Sequence, residues 1–447
     1  MKTALIRLIS LMGFAMLLES SSARAQSWTQ VLGGIDGGTV SAIDSGMGKL
    51  FVAGPFAYAN DKPVGHIVSW NGTGWDTLLY GLNGPVNSIA FYNGNLYAGG
   101  IFDSAGKVRT GAVAMWDGTS WSSSGTSIFS GSVNALTTYN GKLYAAGSFI
   151  SAGGIAVNNI AAWDGSGWSA AGGGLGGGTV TTLAVFNGNL YAGGTFTQAG
   201  GNPAAGVAFW NGTNWAAAGS GLRTGSAVEA MLAWNGNLYM SGYFDSVGTV
   251  AAHMIASWNG TSWSAAGPGM NSDIAALTIY NGNLMAAGGF SSIGTSASSN
   301  IAVWDGTNWT DFNSGMDSYV TALGVWNGTL YAGGDFTMAG GVHATGLASY
   351  GLTTGIAETL PPVSPVHVFP NPSNGLFTVS VERSSEAVFS VFNCEGRQVF
   401  AGDANSKDAS GRTFSADLST QARGIYFYRL TSNLNGACKA SGKIIIQ

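Results

Sequence analysis

The chain has 447 residues, 71 of them glycine, with 9% charged residues, a formal net charge of −5 and a pI near 5.3. A surface so poor in charge, and acidic on balance, excludes the basic patch on which nucleic-acid binding depends.

The first segment, residues 1–25, reads as a secretory signal. Lys2 and Arg7 precede an apolar stretch from Leu8 to Leu18, and Ala23-Arg24-Ala25 follows as a cleavage site. That apolar run, about 11 residues, is too short to span a bilayer, and no later stretch is longer. An exported chain without a transmembrane segment is expected.

Next comes an isolated strand, Ser27-Trp28, and then one phrase seven times: Leu-Tyr-Ala-Gly-Gly or a close variant, beginning at Leu50, Leu96, Leu143, Leu190, Leu238, Leu284 and Leu330. The spacings are 46, 47, 47, 48, 46 and 46 residues, the signature of one supersecondary unit repeated along the chain. In the second unit, VNSIAFY (86–92) leads through Asn93-Gly94 into LYAGGIF (96–102). After a loop of about ten residues, AVAMW (112–116) leads through Asp117-Gly118 to Trp121. Asn-Gly and Asp-Gly between apolar runs are hairpin signals, because both central residues of such a turn take positive φ. Each unit therefore holds four short strands and two tight turns. No helical periodicity appears, and the fold class is all-β.

The two ends of the array complement each other. The seventh unit stops at its third strand, Ala348-Ser349-Tyr350, and Ser27-Trp28 supplies a fourth. Closing a ring in this way removes exposed sheet edges. A seven-bladed β-propeller over residues 26–355, closed by the N-terminal strand, is the expected architecture. The blocks WDGTSW (116–121), YNGNLYAGG (92–100) and FTQAGG (196–201) resemble the kelch-like propeller repeats of secreted bacterial proteins. That resemblance implies a fold and no particular activity.

A linker is placed at 356–366, where charge density changes. Residues 27–355 carry 6 Lys and Arg against 14 Asp and Glu, and the much shorter 356–447 carries 8 against 7. Residues 367–447 alternate in short β-runs broken by Pro, Asn and Gly, the pattern of a small β-sandwich. Their blocks PNPSNG (370–375), GRQV (396–399) and GIYFYRL (424–430) resemble the type A C-terminal sorting domain of the Bacteroidota type IX secretion system. The resemblance implies the type IX machinery as a partner, then removal of the tail with release or attachment at the cell surface. Cys394 and Cys438 both lie here, and an oxidising destination permits either a disulfide or two free thiols.

Chemistry is harder to find. The phenylalanines Phe56, Phe102, Phe149, Phe196, Phe244, Phe290 and Phe336, and the tryptophans Trp70, Trp116, Trp163, Trp210, Trp258 and Trp304, recur in register. Packing between sheets accounts for that better than sugar stacking does. A sialidase-type site needs clustered arginines, and the repeats hold only Arg109 and Arg223. Copper chemistry of the galactose-oxidase kind needs a cysteine, and the repeats have none. His66, His253 and His343 fall at non-equivalent repeat positions, so no metal ligation is expected of them.

Departures from the repeat say more. The connections that open each unit carry an apolar residue (Ile35, Leu82, Ile128, Leu175, Leu222, Met270, Met316) followed by Asp36, Asn83, Phe129, Gly176, Arg223, Asn271 and Asp317. An arc of Asp36, Asn83, Asn271 and Asp317 near a channel mouth is the candidate ligand site, for a sugar or a hard cation such as calcium. Alternatively these side chains cap turns by bonding nearby backbone. No other cofactor is expected. Glu229, the one glutamate of the repeats, is the candidate catalytic residue, with an ion pair to Arg223 as its structural reading. The primary functional reading is non-catalytic binding of an extracellular protein or glycan. An enzyme acting on extracellular polysaccharide, or a structural surface component, is the alternative.

Overall fold

The computed structural model describes residues 26–125, 130–352 and 366–446, except 370, 372, 382–386, 394–397, 404–405, 409–410 and 433–437. Residues 1–25, expected to be a signal, Ile128, Phe129, residues 353–365 of the expected linker region and Cys394 lie outside the described residues. The chain divides into two compact units, Met1–Thr353 and Thr354–Gln447. Among the described residues every regular element is a β-strand, and every pairing between named strands is antiparallel.

The described residues of the first unit form seven four-stranded sheets. The second is typical: Val86–Tyr92 at one edge, then Asn95–Gly100, Val113–Trp116 and Trp121–Ser123. In the seventh sheet, Val320–Trp326, Thr329–Gly334 and Leu347–Leu352 are completed by Gln26–Gln30, with Trp28 opposite Tyr350. The first strands of successive sheets lie against one another, and Val320–Trp326 also lies against Ala42–Gly46 of the first sheet.

Local chemistry makes each sheet. Asn93, Asn140, Asn187, Asn235, Asn281 and Asn327 sit at φ of 46–49° in the first turn, each followed by a glycine with φ of 71–80°. In the second turn, the Asp117 carboxylate accepts the N–H groups of Thr119 and Ser120, both at 2.7 Å. Asn71, Asp164, Asn211, Asn259 and Asp305 do the same. Sheets are stapled to one another by the tryptophan that opens the fourth strand. Trp215 Nε1 donates to Ala171 O and Trp263 Nε1 to Ala218 O, both at 2.8 Å across the sheet boundary. All seven repeated phenylalanines are buried, which makes them core.

One expectation needs correction. The connection between second and third strands is not a plain loop but carries its own short hairpin, such as Ser104–Ala105 with Val108–Arg109. Glycines at φ of 54–59°, among them Gly106, Gly153, Gly200 and Gly248, turn those hairpins. The apolar residue of each described opening connection packs beneath, bridging to the hairpin: Leu82 to Ala105, Leu222 to Val247, Met270 to Ile293, Met316 to Ala339.

The second unit has two four-stranded sheets. One holds Val366–Phe369, Leu376–Val381, Gly411–Asp417 and Ser406–Asp408. The other holds Gln398–Asp403, Ala387–Phe392, Gly424–Ser432 and Cys438–Ile446. Phe377, Val379 and Ala416 of the first sheet share a core with Phe389, Val391, Tyr428 and Ile444 of the second.

Candidate functional site

The four residues of the predicted arc are each engaged within their own sheet. Asn83 Oδ1 accepts the N–H groups of Asp103 and Ser104 at 3.1 Å, and its Nδ2 donates to Asp103 Oδ1 at 2.7 Å. Asn271 Oδ1 accepts the N–H groups of Ser291 at 2.9 Å and Ser292 at 3.0 Å. Asp317 Oδ1 accepts those of Thr337 and Met338, both at 2.9 Å, and Asp36 Oδ1 accepts the N–H of Gly37 at 2.6 Å. Three of the four therefore pin the short hairpin of their sheet, a task done in the third sheet by Ser130 Oγ. No hydrogen bond joins one of the four to another, and no group of three His, Cys, Asp or Glu suited to a metal ion occurs among the described residues.

Glu229 stands in a β-bulge. The ladder between Ala227–Trp234 and Asn237–Tyr243 skips it between Val228 and Ala230. The first strands of five other sheets bulge at the same place, at Asn87, Asn134, Thr181, Ala275 and Thr321. A bulge re-aims its side chain, and here it aims at the next sheet. Asn87 Nδ2 donates to Val133 O at 3.1 Å, Asn134 Nδ2 to Val180 O at 3.0 Å, Thr181 Oγ1 to Val228 O and Thr321 Oγ1 to Val40 O. Glu229 makes no such bond. In its sheet, Ser241 Oγ donates instead to the equivalent carbonyl, Ile274 O, at 3.2 Å. Ser241 is fully buried where the other six sheets have Gly or Ala (Ala53, Gly99, Ala146, Gly193, Ala287, Gly333).

The expected ion pair between Glu229 and Arg223 is not formed. Among the described residues the ion pair present is Lys49–Asp76, at 3.1 Å on the surface. The bulge instead turns Glu229 toward the sixth sheet. Burial, and after it the Asp273 carboxylate, push Glu229 up to about 7. Asp273 accepts hydrogen bonds from Tyr319 Oη and, at 2.9 Å, from Ser272 Oγ. Burial and that bond to Asp273 hold the Tyr319 phenol far above its usual range. Glu229, Asp273 and Tyr319 thus come together from three successive sheets. Sequence reading singled out Glu229 and missed its partners. Only the bulge brings them near.

A second locus was missed altogether. Leu78, Leu79 and Tyr80 take φ of 48°, 50° and 74° in succession. Equivalent positions to Leu79 in the fourth, fifth and sixth sheets are Gly172, Gly219 and Gly267, which adopt this left-handed backbone freely. A branched or aromatic residue there is strained by roughly 1–2 kcal/mol. Surrounding bonds hold it: Leu78 N–H to Asp76 Oδ1 at 3.1 Å, Trp121 Nε1 to Leu78 O at 2.7 Å, Gly106 N–H to Gly81 O at 2.7 Å. The result is that Leu79 (53% exposed) and Tyr80 (76% exposed) stand out into solvent. Lys107 Nζ lies 6.0 Å from the Tyr80 ring centre, and a cleft of about 220 Å³ opens between Tyr80, Val108 and Trp121. The sequence signal was there: TLLYG (77–81) interrupts a position where other repeats read AAGGG (170–174) or AAGPG (265–269).

The tail supplies the cellular context. Residues 367–447 match the family model described as a secretion system C-terminal sorting domain. This type IX sorting tail engages that secretion system and directs the chain to the cell surface or the extracellular space. No helix among the described residues is long and apolar enough to cross a membrane. No curated protein matches the chain. Among solved structures it is similar to PorZ, an essential bacterial surface component of the type IX secretion system of Porphyromonas gingivalis, at 14% identity and TM-score 0.43. That match covers 91% of this chain and 59% of the PorZ chain. It is also similar, at 12% identity and TM-score 0.37, to a Bacteroides thetaiotaomicron protein of unknown function, with 73% of this chain and 76% of that one covered.

Proposed function

We propose that the first unit is a seven-bladed β-propeller, exported by way of its sorting tail, that binds an extracellular glycan without catalysis. Seven four-stranded sheets, the pairing of Gln26–Gln30 with Leu347–Leu352 and the contact of first and last innermost strands support the propeller reading. The observation that carries the function is the Leu79–Tyr80 lip. Strained backbone holds an aromatic ring and a leucine in water, beside a cleft and a cation. Strain maintained where glycine would relieve it points to use of the side chains. Size favours a sugar over a protein. A stable protein interface needs about 800 Å² on each partner, and this lip offers three exposed apolar side chains, Leu79, Tyr80 and Val108. An exposed tyrosine presents an apolar face and a polar rim, which suits stacking of a sugar ring.

Glycan-array binding by the full chain, repeated with Tyr80→Ala, tests this. Loss of the bound set in a variant with unchanged melting temperature is the expected result. Equal binding by wild type and variant, or none by either, would overturn it. A second reading, hydrolysis of an extracellular polysaccharide, is favoured by one feature: Glu229 titrates near 7 beside a second carboxylate. Turnover of any polysaccharide that Glu229→Gln abolishes would establish that reading in place of the first.

A further inference from the structure

The connection from Leu222 to Val228 is the longest of the seven that open the sheets, with six steps against four or five elsewhere. It turns at Arg223–Ser226, where the Ser226 N–H donates to Arg223 O at 3.2 Å and Gly225 takes φ of 88°. Arg223 holds the register position at which Asn83, Asn271 and Asp317 accept the N–H groups of their hairpins. A guanidinium has no acceptor and cannot do that work. It is exposed and forms no ion pair among the described residues. Beside it lies a cleft of about 220 Å³ between the fourth and fifth sheets, with Thr195, Thr197, Thr224 and Ser226 on its walls and Leu222 among its apolar lining.

We infer that this cleft is a binding site for a sugar acid, a single uronic-acid residue whose carboxylate pairs with Arg223 and whose hydroxyls meet the threonine and serine walls. The volume suits one ring and falls below the range of about 300–1,000 Å³ typical of drug-sized ligands. A planar guanidinium matches a carboxylate through two parallel N–H···O bonds. The hydroxyl side chains both donate and accept, as a ring of sugar hydroxyls requires. This site shares no lining residue with the Tyr80 cleft, so the two stand or fall separately.

The test is titration of the full chain with sodium glucuronate, with glucose and acetate as comparators, followed by calorimetry or by NMR shifts of the Thr197 and Ser226 amides. Wild type is expected to bind glucuronate more tightly than either comparator, and less tightly as salt is raised. Arg223→Gln is expected to weaken binding about tenfold or more, and Arg223→Lys to fall between, because a lysine keeps the charge and loses the fork. Thr197→Val, on the opposite wall, should weaken binding without touching the charge, and Tyr80→Ala should leave it unchanged. Absence of glucuronate binding, parity with glucose or acetate, or undiminished binding by Arg223→Gln of wild-type melting temperature would each overturn the inference.

Discussion

The two edges of the repeated sheets obey different rules. On the turn edge, six Asn-Gly turns share nearly one backbone conformation, and six Asp or Asn side chains cap the second turn in one way. On the opposite edge, the same hairpin-pinning task falls to Asn83, Ser130, Asn271 or Asp317, and two sheets depart further, with Leu79-Tyr80 in one and Arg223 in another. A two-residue turn admits few conformations, so its chemistry is dictated. A connection of several residues can change composition or length at small entropic cost. Variation therefore collects on the edge where the scaffold tolerates it, and ligand contacts are sought there.

Substitutions can break or sharpen that contrast. The largest effect belongs to the shared scaffold: Phe196→Ala empties a fully buried site and is expected to cost about 3–5 kcal/mol, read as a lowered denaturant midpoint. On the turn edge, Gly94→Ala forces a side chain onto a residue at φ of 78° and should cost roughly 1–2 kcal/mol by the same assay. Ser241→Ala removes the stand-in donor to Ile274 O and should cost about 1 kcal/mol, whereas Ala287→Gly in the neighbouring sheet loses no hydrogen bond. On the connection edge the sign reverses. Leu79→Gly relieves left-handed strain and should stabilise the chain by up to about 1 kcal/mol.

The last prediction is a pH dependence. Glu229 titrates at about 7 when folded, against an ordinary 4.5, so between those values the folded chain holds more protons than the unfolded one. Stability should therefore decline as pH rises through that window, because a half-buried carboxyl is being charged beside Asp273. Melting temperatures of wild type and Glu229→Gln across pH 4.5–7 check this. The variant should lack that component of the slope, and identical slopes would show that Glu229 is solvated.

Much of the β-architecture was legible because its determinants are local. Asn-Gly turns need positive φ, and apolar alternation marks a strand whatever lies around it. Trp28 opposite Tyr350 could be expected from the missing fourth strand alone. The candidate sites were less legible. Asn83, Asn271 and Asp317 look alike as ligands and as caps, and only the hairpins folded over them reveal which N–H groups they accept. Those hairpins went unread because two-residue strands leave almost no periodic signal.

What the sequence by itself determined was the repeat, its strands, its tight turns and the address carried by residues 367–447. Only the tertiary structure decided that Glu229 meets Asp273 rather than Arg223, and that Leu79 and Tyr80 face water. The reason is one of scale. Glu229, Asp273 and Tyr319 lie about one repeat apart in the chain, and a single skipped rung in the hydrogen-bond ladder at Glu229 sets which way that side chain turns.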